Sequence, residues 1–474
     1  MHRRPFLLTL AALAGAAAAA CAGVAPAGAL PPIVFVHGNG DSAALWLTTL
    51  WRFESNGWPR ERVHAIHLPY PLARDSDNRA QPGRTSSTEH REFLAGEIAK
   101  VLASTGAQQV VLMANSRGGN AVRSYVADAK LGGAARVSHA ILGGTPNHGV
   151  RVDATAGTGN EFNGAGPFLI ALNNQGAPGV EITPGPRWLT VRSADNDKFA
   201  QPEGTWLGAP RKPTGVTFAG PELRGAKNVV LPAIDHRETS FSPTAFAAAF
   251  EFITGRAPAT TGFVPEARVV LDGQVSGQGI DNDPASGSFA NNLPLNGATV
   301  EVYATDAATG ERTGGPRWRK TTGADGRWGP FPADGDTAYE FVISAPVPVA
   351  QAANSASPGS TAYAITHIYR QPFVRSSSIV HLRVERLLQA DRDAGSVLVL
   401  SRPRGYFGLP RDRIVFDGQD PAPGIPRGVA GVAQSKIKLS AAAPRTVLAA
   451  FNGQRMAARS WPAAENRLVL IELH

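Results

Sequence analysis

At 474 residues the chain is too long for one ordinary domain, and length alone predicts about two or three, each able to bury a core. A balance of 43% hydrophobic and 18% charged residues excludes a wholly disordered chain, while 51 Gly and 37 Pro point to turn-rich and strand-rich architecture. The net charge of +8 comes from scattered Lys and Arg, with no basic run interleaved with aromatics, so no nucleic-acid partner is expected.

The chain opens on an address. "MHRRPFLLTLAALAGAAAAA" has a basic start and an apolar stretch, and "APAGAL" then offers small residues at Ala27 and Ala29 for cleavage before Leu30. Residues 1–29 are therefore expected to be an export signal, and Arg3 and Arg4 followed by Phe6 and Leu7 suggest the twin-arginine type. The Ala-rich stretch with cleavage sites directly behind it disfavours a membrane-spanning helix, and no later segment is apolar enough to span. A periplasmic or extracellular location follows. The single Cys, Cys21, lies in this leader, so the mature chain is expected to form no disulfide framework. Lipid anchoring through Cys21 is the alternative, although Ala18 stands where lipoprotein signals usually carry a large apolar residue.

From residue 30 to 262 short apolar runs alternate with helical patterns, the signature of a mostly parallel sheet flanked by helices. "IVFVHG" predicts a buried strand, "TEHREFLAGEIAKVLAS" an amphipathic helix and "QVVLMAN" the next strand. Strands "HAILGG", "RWLTVRS" and "KNVVLPAI" follow, and then a helix in "SPTAFAAAFEFITG" with Ser242 as N-cap, Pro243 at its first position and Gly255 at its end. "APATTGFVPEA" changes the texture, which sets a boundary near residue 263. Beyond it, "ATVEVYATD", "YEFVIS", "YAITHIYR", "IVHLRV" and "SVLVLS" predict strands, with a hairpin turn at Asp325-Gly326. Residues 263–474 are thus expected to form a β-sandwich-like region, with a weaker division near 350.

Within "VVLMANSRGGNAV" an apolar strand runs into Ser116 and then into a Gly pair that opens an amphipathic helix. That is the context of a nucleophile elbow, G-x-S-x-G, except that Ala114 replaces the first Gly. The position demands a small side chain, and one methyl meets that demand. Acyl transfer at a serine also needs a base, an acid to orient the base, and amide donors for the oxyanion. "VHGNGD" supplies a Gly-rich loop at the end of the first strand, and "LPAIDHRETSFSP" supplies His236 between the final strand and the last helix. "TVRSADNDKFAQP", after the penultimate strand, offers both Asp195 and Asp197, whereas Asp235 beside His236 is poorly placed to bond it.

These stations resemble secreted lipases and esterases of the α/β-hydrolase family, some of which carry Ala before the nucleophile. The resemblance implies an α/β-hydrolase fold with Ser116 as nucleophile and His236 as base. It further implies that the backbone N–H groups of Asn39 and Arg117 form the oxyanion hole, by similarity of "HGNG" to the lipase "HGxGG" loop. "DKFAQP" resembles the segment that begins with the acid in related lipases, which favours Asp197 over Asp195. "SPTAFAAAFEFITGRAPATTGFVPE" and "IYRQPFVRSS" resemble an archaeal long-chain lipase with a C-terminal lipid-binding β domain, although its acid follows the sixth strand, where Gly143 and Gly144 stand here. "LGGTPNHGV" resembles a site-shaping lipase segment, and "GPFLIALNNQG" predicts a short helix that either covers an acyl pocket or packs on the sheet.

The expected function is that of an exported serine carboxylic-ester hydrolase acting on an ester or lipid, with no metal or organic cofactor. The β region would meet a lipid aggregate or polymer surface. The alternatives are a depolymerase of polyesters such as polyhydroxyalkanoate, with the same chemistry, and a non-catalytic surface-binding protein that keeps a degenerate hydrolase fold.

Overall fold

The computed structural model describes residues 30–473 apart from 195, 196, 198, 200–212, 233, 278–290, 346–359, 389, 390, 392, 394, 402–413, 418, 423–434, 440–442, 452 and 453. The expected leader, including Cys21, lies outside the described residues, as does Asp195.

The first half is built on β1 (Ile33–Val36), β2 (Val63–Ala65), β3 (Val110–Asn115), β4 (Val137–Gly143), β5 (Arg187–Ser193) and β6 (Lys227–Leu231). All pairs are parallel and the sheet order is β2-β1-β3-β4-β5-β6. Helices α1 (Leu47–Ser55), α2 (Ser87–Thr105), α3 (Arg117–Ala127), α4 (Gly133–Arg136), α5 (Pro167–Leu172), α6 (Glu238–Phe241) and α7 (Pro243–Thr254) connect them. This is the α/β-hydrolase arrangement. β1 shows why an apolar run is needed: Ile33 and Phe35 enter a core with α1 and α7, while Val34 and Val36 enter another with α2 and α3. A strand covered on both faces buries both sets of alternating side chains.

The end signals act as the sequence predicts. The Ser242 side chain accepts from the Ala245 N–H, Pro243 opens α7, and Gly255 closes it in the left-handed region at φ 74°. α2 starts in a capping box, with the Glu89 N–H donating to Ser86 and the Ser86 N–H to Glu89. Strand β2 was not foreseen: "VHA" spans three residues, too few for a pattern to stand out.

The second half is β-rich. A seven-stranded mixed sheet runs in the order 318–321, 299–305, 338–344, 365–370, 467–472, 396–401, 435–439. Strands from both sides of residue 350 share this sheet, and two of its pairings, of 467–472 with 365–370 and with 396–401, are parallel. A four-stranded antiparallel sheet (419–422, 414–416, 446–451, 454–459) and short strand pairs complete it.

The expected hairpin at Asp325-Gly326 is corrected. Gly326 does take φ 64°, and its N–H donates to the Gly323 carbonyl. The segments on either side diverge: Trp318–Thr321 pairs with 299–302, while Arg327 bridges to Gln274. The turn joins two sheets, because the buried Trp328 ring is drawn to the core beside Phe341.

The halves share a core. Leu50 and Phe53 of α1 face the parallel sheet, whereas Leu47 and Trp51 enter the main cluster of the β region. The Trp51 indole N–H donates to the Ser376 carbonyl at 3.0 Å, and its ring meets Phe263 and Phe373 edge-on. Around it Arg375 binds Glu54 and Glu266, and Arg60 binds the same two carboxylates.

Candidate active site

Ser116 occupies the junction between β3 and α3 with φ 52° and ψ −125°, a region that side-chain-bearing residues rarely enter. Strain of this kind costs about 1–3 kcal/mol and persists only when the surroundings over-determine it. Here they do. The Ser116 N–H donates to the Gly143 carbonyl at 2.8 Å, and its own carbonyl accepts from Gly119 at 2.9 Å. A Cβ at Gly118 would stand 2.7 Å from the carbonyls of Val36 and His37, and one at Gly119 would collide with Thr145. The two glycines let α3 start against the end of the sheet. Ala114 is buried on β3 between Val36 of β1 and Leu142 of β4.

The loop after β1 lies directly over the serine: a Cβ on Gly38 would be 2.9 Å from Cβ of Ser116. Asn39 follows, its side-chain oxygen accepting from the Ala73 N–H at 2.7 Å, and Gly40 turns the chain at φ 70°. His37 braces this loop. Its Nε2 accepts from the Leu68 N–H at 3.1 Å, which leaves the proton on Nδ1 to donate to the Gly38 carbonyl at 2.9 Å. Asn39 thus follows the glycine that lies against Ser116, and Arg117 is the first residue of α3 directly after it.

His236 is buried, 8% exposed, and its Nδ1 lies 2.8 Å from both carboxylate oxygens of the fully buried Asp197. The Phe199 N–H donates to Asp197 Oδ1 at 2.9 Å, and the Phe199 ring packs against the imidazole at 4.9 Å. Burial pulls the His236 pKa down, but the Asp197 carboxylate, by charge and hydrogen bond, and Asp235 more weakly, outweigh it, and the net direction is above the usual imidazole value. Asp235 faces elsewhere. Its Oδ1 accepts from the N–H groups of Arg237 and Glu238 at 2.8 Å, while its own N–H donates to Glu238 Oε2. It caps the turn that carries His236, and burial pushes its pKa up.

Gly144, directly after β4, lies against the His236–Asp197 pair. A Cβ on Gly144, itself at φ 55°, would lie 3.0 Å from Asp197 Oδ2 and 3.1 Å from His236 Nδ1. A larger residue there would crowd a carboxylate and an imidazole that arrive from later in the chain. The Asn115 amide ties this pair to the elbow, donating to the carbonyls of Gly143 at 3.3 Å and His236 at 3.1 Å.

Two contributors, the side chains of Arg117 and Asp41, carried no sequence signal. The Arg117 side chain is wholly buried and pairs with Glu161 at 2.8 and 3.0 Å, and it also donates to the Pro71 carbonyl and to Thr85. Asp41 binds Arg237, the neighbour of His236, at 2.9 and 2.8 Å. The segment from "LGGTPNHGV" is locked by Arg123 and Asn147, with burial pushing Arg123 down to about 10. Helix α5 buries Leu169 and Leu172 and packs on α3, leaving Ile170 48% exposed. The other described histidines whose partners bear on the choice of base are engaged elsewhere: His148 with Glu181, His367 with Glu340 and His381 with Ser276.

Comparison with known proteins matches residues 31–161 to the family described as Lipase (class 2), and residues 267–387 to the Lipase C-terminal domain. No curated protein matches the chain. Among solved structures it is similar to lipase B of Aspergillus fumigatus at 15% identity and TM-score 0.35, over 50% of this chain and 56% of that one. The chain thus spans a little over half the length of the fungal lipase. The propeptide form of Bacillus licheniformis lipase BlEst2 aligns over 91% of this chain and 96% of its own, at 14% identity and TM-score 0.35. A monoacylglycerol lipase of Paleococcus ferrophilus aligns over 48% of this chain and 96% of its own, at 11% identity and TM-score 0.33.

Proposed function

We propose that this chain, whose residues 31–161 match the class 2 lipases and 267–387 the lipase C-terminal domain, is an exported lipase or esterase that cleaves its substrate through Ser116, His236 and Asp197. The family is one of carboxylic-ester hydrolases, and no helix among the described residues is long and apolar enough to cross a membrane. The observation that carries the reading is the left-handed Ser116 at the head of α3, tied through Asn115 to a buried His236–Asp197 pair.

In this reading Ser116 Oγ attacks the acyl carbonyl while His236 Nε2 takes the hydroxyl proton. Asp197 accepts from Nδ1–H, holds the imidazole in that tautomer and stabilises the imidazolium. The N–H groups of Asn39 and Arg117 receive the oxyanion, preorganised because His37 and the start of α3 fix them in advance. Collapse returns the proton to the leaving alcohol. Water, deprotonated by His236, then releases the acid from Ser116. Export rests on residues 1–29, the catalytic unit on 30–262, and a lipid- or polymer-facing role on 263–474.

Ser116→Ala should lower turnover of nitrophenyl esters by several orders of magnitude, and a fluorophosphonate should label the parent and not the variant. Undiminished hydrolysis by Ser116→Ala would overturn the reading.

A further inference from the structure

The segment 68–71 runs beside the Gly38–Asp41 loop and receives bonds from three directions. Leu68 donates its N–H to His37, and the Pro71 carbonyl accepts from the Gly40 N–H at 3.2 Å and from Arg117 Nη1 at 3.1 Å. The third direction is the β region. Asn292, 6% exposed, uses its one amide group twice, donating to the Asp41 carbonyl at 2.8 Å and to the Leu68 carbonyl at 2.9 Å. Its backbone N–H donates to the Pro69 carbonyl at 2.8 Å, and its own carbonyl is held by Gln274 Nε2 at 2.6 Å. The Asp41 residue so held also grips Arg237 with its carboxylate, next to His236.

We infer that Asn292 is a positioning residue of the β region that sets the oxyanion loop, and through Asp41 and Arg237 the histidine-bearing turn, so that the second half of the chain completes the catalytic geometry of the first. The inference rests on the proposed roles of Ser116, Asn39 and His236. The physical case is one of tolerance. Oxyanion donors act only when aimed at where the charge develops, and a misplacement of about 1 Å can cost about 100-fold in rate. A Gly-flanked loop is soft, and its backbone carbonyl at Asp41 is fixed by a donor 251 residues away in sequence. Asp in place of Asn292 would set a carboxylate against two carbonyl oxygens, keeping the shape while reversing the interaction.

The test uses the full chain and a soluble nitrophenyl ester, with kcat expressed per phosphonate-titrated site so that misfolded molecules drop out. Asn292→Ala is expected to lower kcat by about 10- to 100-fold with KM within about twofold of the parent, and Asn292→Asp to lower it at least as far. Gln274→Ala, which frees the carbonyl of Asn292, should lower kcat in the same pattern and by less. It serves if the Asn292 variants do not fold. A kcat per titrated site within about twofold of the parent for the folded variants would overturn the inference, even if their melting temperature fell. An active Ser116→Ala would instead overturn the reading beneath it.

Discussion

His236 shows how two opposed effects on one residue leave a readable net result. Burial alone would keep its imidazole neutral to low pH, but the Asp197 carboxylate 2.8 Å away stabilises the cation and raises the pKa above 6.5. A general base works only when neutral. The acid limb of kcat/KM should therefore have its midpoint above pH 6.5, with activity rising as pH climbs through it. Asp197→Asn removes the stabilising charge, so the midpoint should move to lower pH while kcat falls by roughly 10⁴-fold. A pH–rate profile in a constant-ionic-strength buffer series checks both, and an unmoved midpoint would mean that another group titrates.

Helix α3 owes its position to contacts at its first turn. Gly118 and Gly119 remove the atoms that would hold it off the sheet, and the Arg117 side chain then reaches back to Pro71, Thr85 and Glu161. Burial pushes Glu161 upward in pKa, which Arg117 only partly offsets, so the pair is costly to assemble and costlier to break. Glu161→Ala would leave a buried guanidinium without its anion and should destabilise the protein by about 3–5 kcal/mol, read from urea unfolding. A loss below about 1 kcal/mol would show that solvent reaches the site. At the same scale, α2 and α7 begin and end where capping residues dictate, since a cap satisfies backbone groups within a turn of itself.

The two halves behave as one packed body at α1. Trp51 is 1% exposed and sits among Phe263 and Phe373, in the cluster that also holds the seven-stranded sheet's inward residues. Trp51→Ala should cost about 3–5 kcal/mol, the range for a large aromatic removed from a close-packed core. Calorimetry should also find a lower unfolding temperature for the whole chain. Unchanged unfolding would mean that the interface contributes little. Because Asn292 bonds the loop next to Ser116 from the same side, loosening this interface should also lower kcat.

What the sequence determined by itself is what near neighbours decide. Buried strands, the Ser242 cap, the Gly255 stop and the strand-serine-Gly-Gly elbow all follow from residues within a few positions of one another, and each is legible as a short pattern. The tertiary structure decided what distant residues do to each other. It set Asp197 against His236 across 39 residues, with Gly144 leaving the room, and gave the Arg117 side chain Glu161 as partner across 44. It sent the two sides of the Asp325-Gly326 turn into different sheets and laid Asn292 on the loop that follows β1. Such contacts depend on packing, which no local pattern records.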